Sequence, residues 1–141
     1  MAYEQYKRYR DEIAKWLDFK NSITGVPDMD VITQKAAELP AIKHFWAGRL
    51  IDAKIELRRL EREREESLKT LRGAETEVAL TAKARQSVIK EFYDTPAVRA
   101  KTDRMDELKV IIELLENNRF VLKDCTQDIA NYQRGRTLEL T

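Results

Sequence analysis

Apolar residues recur along the chain at steps of three and four, the period of an α-helix. Tyr6, Tyr9, Ile13 and Trp16 follow these steps and predict a short amphipathic helix within residues 3–20. Asn21 to Asp30 contains Gly25, Pro27 and acidic residues, which reads as a linker. Asp30 is placed to cap a short helix running toward Leu39. A long helix is expected from Leu39-Pro40, with Pro40 in its first turn, where a missing N–H costs nothing. Trp46, Leu50, Ala53, Leu57 and Leu60 form an a/d seam. Arg64 and Ser67 stand where apolar residues are due, the seam resumes at Leu68 and Leu71, and Gly73 is the expected C-cap.

Residues 73–77 then read as a turn, and Val78 to Tyr93 as a helix with Ala82, Ile89 and Phe92 inward. Asp94-Thr95-Pro96 has the form of a helix start, Thr95 as N-cap and Pro96 at the first position. The last long helix is expected from Pro96 to about Arg134. Its seam is Met105, Leu108, Ile112, Leu115, Arg119 and Leu122, with Ile129 and Tyr132 beyond, and Ile111, Leu114 and Val121 widen the face. Gly135 is expected to end it. The fold class is therefore all-α: an elongated helical hairpin with a short N-terminal helical region. The sections are 1–38, a hairpin over 39–135 with its long helices at 39–73 and 96–134, and a frayed tail at 136–141.

A helix of about 35 residues spans about 50 Å, whereas a compact domain of this chain length has a radius of gyration near 14 Å. Such a hairpin leaves apolar flanks open, and self-association is the expected cover. The residues assigned to that contact are Leu108, Ile111, Ile112, Leu115, Leu122 and Ile129.

Composition narrows the chemistry. The chain has 141 residues, a length for one domain, and 36% are charged. Four Gly and three Pro compare with roughly ten and seven at average usage, in keeping with long helices. No run of 18 apolar residues predicts a membrane span, and the charged, aromatic segment from Met1 to Arg10 does not resemble a signal peptide. The single cysteine, Cys125, fits a reducing compartment, and with the single histidine, His44, it leaves no Cys/His zinc site. Gly25, Gly48, Gly73 and Gly135 stand too far apart to cradle a nucleotide. The expectation is a protein that is not an enzyme and carries no cofactor. The formal net charge is only +1, so binding of a polyanion would require positive charge gathered by geometry.

A helical wheel provides such a gathering. With Lys54 at zero, Arg72 falls at about 0°, Arg58 at about 40°, Lys69 at about 60° and Arg62 at about 80°, interrupted only by Glu65. Trp46, Leu50, Leu57, Leu60, Leu68 and Leu71 occupy about 240–320°, and Asp52, Glu56, Glu63 and Glu66 about 120–200°. The basic ridge runs about 27 Å, the reach of several phosphates. It reads either as a solvated face with pairs such as Glu65–Lys69 or as a stripe that tracks a phosphate backbone.

Trp16, Phe45 and Trp46 are expected in the core. Arg119 either sets register in an oligomer or snorkels outward. Cys125 is expected to be a buried small hydrophobe, His44 to be packed, and Asp103 to lie on the surface.

Several segments in order resemble the UvsY family, the recombination mediators of T-even-like phages. Phe120-Val121-Leu122-Lys123, then Gln127-Asp128-Ile129, Tyr132 and Gly135, are similar to that family's end. Ala36-Ala37 with Trp46 matches its pattern before the long helix, and Lys101-Thr102-Asp103 its Lys-x-Asp element. Leu68-Lys69-Thr70-Leu71-Arg72 falls where the family carries a Leu-Lys-rich DNA-binding motif. The similarity covers roughly residues 28–135, with gaps.

The resemblance implies binding of single-stranded DNA and a ring-like homo-oligomer built through the C-terminal helix. It also implies help in loading a phage RecA-like recombinase onto strands covered by single-strand-binding protein, in the cytoplasm of an infected bacterium, with no membrane partner. It places Lys69 and Arg72 in the DNA-contacting motif. The family motif continues into two tyrosines where this chain has Gly73-Ala74, which shifts the expected binding from stacking toward electrostatics. The competing expectation is a structural coiled-coil or assembly protein without a nucleic-acid role.

Overall fold

The computed structural model describes residues 3–23, 28–77 and 82–140. Among these residues all regular structure is helical: α1 (Glu4–Ser22), α2 (Met29–Glu77), α3 (Ala82–Asp94) and α4 (Pro96–Leu140). They divide into two compact units, one of Met1–Asp52 with Val110–Thr141, the other of Ala53–Lys109.

The first unit combines α1 with the N-terminal part of α2 and the C-terminal part of α4. Tyr9, Ile13, Trp16 and Phe19 form the buried stripe of α1. Tyr9 meets Trp46 edge to face at 5.2 Å, and its hydroxyl accepts a hydrogen bond from Gln5 Nε2 at 2.9 Å. Lys35 lies over the rings of Trp16 and Phe19, 5.1 and 5.7 Å from their centroids. These contacts fasten α1 to α2. Lys20 reaches Asp124 on α4 at 3.9 Å. Leu115 and Leu122 border one cavity with Trp46 and Leu50, and Ile129 borders another with Ala36 and Leu39, so α2 and α4 run antiparallel here.

The second unit holds Ala53–Glu77 of α2, α3 and the start of α4. Its cross-links Glu56 to Arg104 and Glu63 to Lys101 again pair ascending with descending residues, and Arg64 reaches Thr102 beside them. Arg64, in the expected apolar seam, donates to the Thr102 hydroxyl at 3.3 Å and lies over the Tyr93 ring of α3 at 5.7 Å. Its stem fills the seam while its head joins three helices.

Several element boundaries differ from expectation. Asp28, not Asp30, caps α2: its Oδ1 accepts the Asp30 amide at 2.9 Å and its carbonyl the Ile32 amide at 3.3 Å. The separate helix toward Leu39 does not exist, because α2 runs through Pro40. Burial explains the tolerance. Ile32, Leu39, Trp46, Ala53 and Leu60 are all buried, one every seven residues, so the apolar stripe crosses the proline without a break. Packing of that stripe offsets the lost hydrogen bond.

Gly73 and Gly135 are interior to α2 and α4, and no described glycine has a positive φ. Ala74-Glu75 after the first and Arg136 after the second are good helix formers, and neither glycine meets a proline that would stop the helix. The expected turn at 73–77 and the frayed tail from 136 are thus helical as far as Glu77 and Leu140. The expected start of α3 at Val78 lies outside the described residues. Within α3, Ile89 and Phe92 are half-buried but Ala82 is exposed.

At the α3–α4 junction, Thr95 occupies the N-cap position and its carbonyl accepts the Arg99 amide at 2.8 Å. Its hydroxyl turns back, however, and donates to the Glu91 carbonyl at 3.0 Å. The side chain closes the end of α3 rather than the beginning of α4.

Candidate nucleic-acid interface

Lys54, Arg58, Arg62, Lys69 and Arg72 lie on α2 within the second unit, and all are exposed. Their common face follows from helical period alone: steps of four, four, seven and three return to one side. The adjoining seam residues Ala53 and Leu60 are buried. The helix is thus fixed by one side, and the ridge points away from it.

The acidic flank has a different fate. Arg104 Nε and Nη2 donate to the two carboxylate oxygens of Glu56 at 3.0 and 2.9 Å, and Nη1 donates to Glu107 at 2.7 Å. The hydrogen bond to Glu56 is the main cause that raises the Arg104 pKa above its ordinary value, against partial desolvation. Lys101 lies 3.5 Å from Glu63, which also accepts from Arg59 at 2.9 Å. Two carboxylates of α2 are therefore engaged by α4, and Arg58, Arg62 and Arg72 on the other side are not balanced by them.

On the ridge itself, Lys69 reaches Glu65 at 4.0 Å, both side chains being largely in solvent. A pair so exposed contributes little. Arg58, Arg62 and Arg72 have no ion pair or hydrogen bond among the described residues. Ile55, one step beyond the arc, is 61% exposed and adds an apolar contact beside the ridge; its place within the long apolar and charged run had not marked it out. Lys83, Arg85 and Lys90 on α3 are also exposed.

The residues assigned to self-association occupy another environment. Leu108, Ile111, Leu115, Leu122 and Ile129 are buried within this chain, and Ile112 is half-buried. Leu108 and Ile112 belong to different units, as do the two ends of the expected seam. In the first unit α1 covers a flank that the two long helices alone would leave open. Two large apolar side chains of α4 face solvent among the described residues: Leu138 near its end, and Phe120, 59% exposed, with the Arg119 guanidinium 6.0 Å from its ring centroid.

Arg119 is exposed, and the buried position next to it belongs to Asn118. Ile111, Asn118 and Cys125 share one buried column, where the sequence suggested Ile112 and Arg119. Apolar residues at both 111 and 112 left the register open by one step. Asn118 is 2% exposed, and neither its Nδ2 nor its Oδ1 has a hydrogen-bond partner.

Trp16 and Trp46 are buried as expected, but Phe45 is exposed, its ring 4.8 Å from the Arg49 guanidinium. His44 is exposed rather than packed, because the core side of this turn is taken by Trp46. Cys125 is fully buried, and desolvation raises its thiol pKa. Asp103 is exposed. Lys101 and Thr102, in the Lys-x-Asp segment, both bind α2. Among the described residues there is no group of His, Cys, Asp and Glu able to hold a metal ion, and no helix long and apolar enough to cross a membrane. Comparison with family models, curated proteins and solved structures finds no match to this chain.

Proposed function

We propose that the chain is a single-stranded DNA-binding recombination mediator. In this reading it assembles as a homo-oligomer, ring-like in arrangement. It helps load a RecA-like recombinase onto strands covered by single-strand-binding protein, in the cytoplasm of a phage-infected bacterium. The observation that carries the reading is the ridge: exposed cations on one face of α2, while Glu56 and Glu63 on its flank are held by Arg104 and Lys101. The order of segments similar to the UvsY family supports the same reading.

Lys54, Arg58, Arg62, Lys69 and Arg72 bind successive phosphates by charge, and Arg58, Arg62 and Arg72 can each engage a phosphate through two N–H groups. Ile55 packs against the sugar or base edge at one end of the ridge. With Gly73-Ala74 in place of a tyrosine pair, affinity rests on counterion release more than on stacking. No nucleotide is hydrolysed; the protein acts by holding a strand in reach of the recombinase.

The test is a filter-binding titration of single-stranded and duplex DNA at several salt concentrations. Each neutralised phosphate on a single strand contributes about −0.7 to the slope of log affinity against log salt, so the five cations of one ridge give at most about −3.5. A steeper slope requires several subunits on one strand. Retention of no DNA at low salt would refute the reading and favour a structural coiled-coil protein.

A further inference from the structure

Within the first unit, α2 and α4 leave a cavity of about 240 Å³. Trp46, Ala47, Leu50, Leu115 and Leu122 form its walls, and Lys43, Arg119 and Lys123 its rim. Four of the wall residues belong to the buried core, so the cavity is preformed. The rim cations make no ion pair among the described residues. Asp124, the acid next to Lys123, is held by Lys20 instead. Lys43 also borders a second cavity, of about 350 Å³, beside Leu39, Ile129 and Ala130, so the apolar surface continues between the same helices.

We propose that this groove binds an acidic peptide segment of a protein partner. One aliphatic or aromatic side chain of the peptide fills the cavity, and its carboxylates meet Lys43, Arg119 and Lys123. Three features select that occupant. The space is smaller than the usual small-molecule pocket and fits a single anchoring side chain. The rim supplies cations without internal counter-charges, complementary to carboxylates. The walls offer one neutral hydrogen-bonding group, the Trp46 indole N–H, too few partners for the several donors and acceptors of a nucleobase edge. The proposal does not depend on DNA binding by the ridge, which belongs to the other unit.

The probe is a short fluorescein-labelled peptide of Glu and Asp with Leu and Phe one helical turn apart. One control has Ser at both apolar positions, and a second replaces the acids with Lys. Anisotropy is read with the full chain carrying charge reversals at Arg58, Arg62, Lys69 and Arg72. Burial of one large apolar side chain predicts affinity about tenfold or more above either control. Ala47→Met fills the cavity from an exposed position, and Arg119→Glu with Lys123→Glu reverses exposed rim charges. Each should weaken the anchored peptide about tenfold while circular dichroism is unchanged. Equal binding of the Ser control, or unchanged affinity in Ala47→Met, overturns the proposal. Displacement of the peptide by oligothymidylate assigns the cavity to a nucleobase and overturns it. A fall in assembly mass on Ala47→Met assigns it to a second copy and does the same.

Discussion

Arg104 and Glu56 form a two-point ion pair, Nε to Oε1 at 3.0 Å and Nη2 to Oε2 at 2.9 Å. The same guanidinium holds the mostly buried Glu107 at 2.7 Å. Arg104→Met removes the donor that binds both carboxylates. The expected loss is about 1–3 kcal/mol, the range for hydrogen bonds to charged groups. Urea unfolding followed by circular dichroism checks it, and a shift under 0.5 kcal/mol would show that solvent replaces the pair at no cost.

Reversal of Arg58, Arg62, Lys69 and Arg72 to Glu should abolish binding to single strands with helicity intact, since all four side chains are exposed. Single changes to Ala should each reduce the salt slope by about 0.7. If the quadruple variant binds normally, the path moves to Lys83, Arg85 and Lys90 on α3.

Asn118→Leu is expected to stabilise the protein by about 1–2 kcal/mol, because it removes two polar atoms that are buried without partners. The readout is the denaturation midpoint at constant m-value. A destabilised variant would mean that Asn118 fits its site by shape in a way Leu cannot.

Assembly is best probed from the surface. Leu115→Glu puts a charge into the chain's own core, so unfolding is its expected result. Phe120→Asp alters a side chain 59% exposed. In the oligomer reading it should lower the light-scattering mass at micromolar concentration and weaken DNA binding, each bound subunit having made the next contact intramolecular. A monomeric wild type removes the premise.

Cys125 has its thiol pKa raised by desolvation, and by Asp128 next. An acid whose folded pKa is raised keeps its proton in the native state while the unfolded chain loses it. Stability should therefore hold below the unfolded thiol pKa of about 8.5 and decline as pH rises above it. Cys125→Ala should flatten that decline. A thiol reagent should react with the native protein only at the rate of opening, and immediate reaction would contradict the burial.

The long apolar periods were legible because each side chain of the stripe lies three or four residues from the next: Trp46, Leu50, Ala53 and Leu60 are buried, and Leu57 between the last two is half-buried. Arithmetic also placed the ridge cations together on one exposed face. Pro40 misled, because a local rule for proline stops a helix that the stripe from Ile32 through Leu39 carries onward. Glu56–Arg104 and Glu63–Lys101 were out of reach, since no period relates residues on two helices. The choice of Asn118 over Arg119 depended on one step of register, which a pair of adjacent isoleucines leaves undetermined. The role of α1 was the largest omission: its stripe was visible, but not that Tyr9 would close on Trp46.

Thr95 alone separates α3 from α4, with its amide and hydroxyl both bonded back into α3. That junction has no slack in which to absorb a change of length. One residue added or removed there would turn the face of α3 by about 100° relative to α4 and carry Tyr93 away from Arg64. Insertions and deletions are therefore barred at this point even where substitutions are tolerated. A reading frame that gains or loses three nucleotides there is constrained by the angular phase between two helices, not by any single side chain.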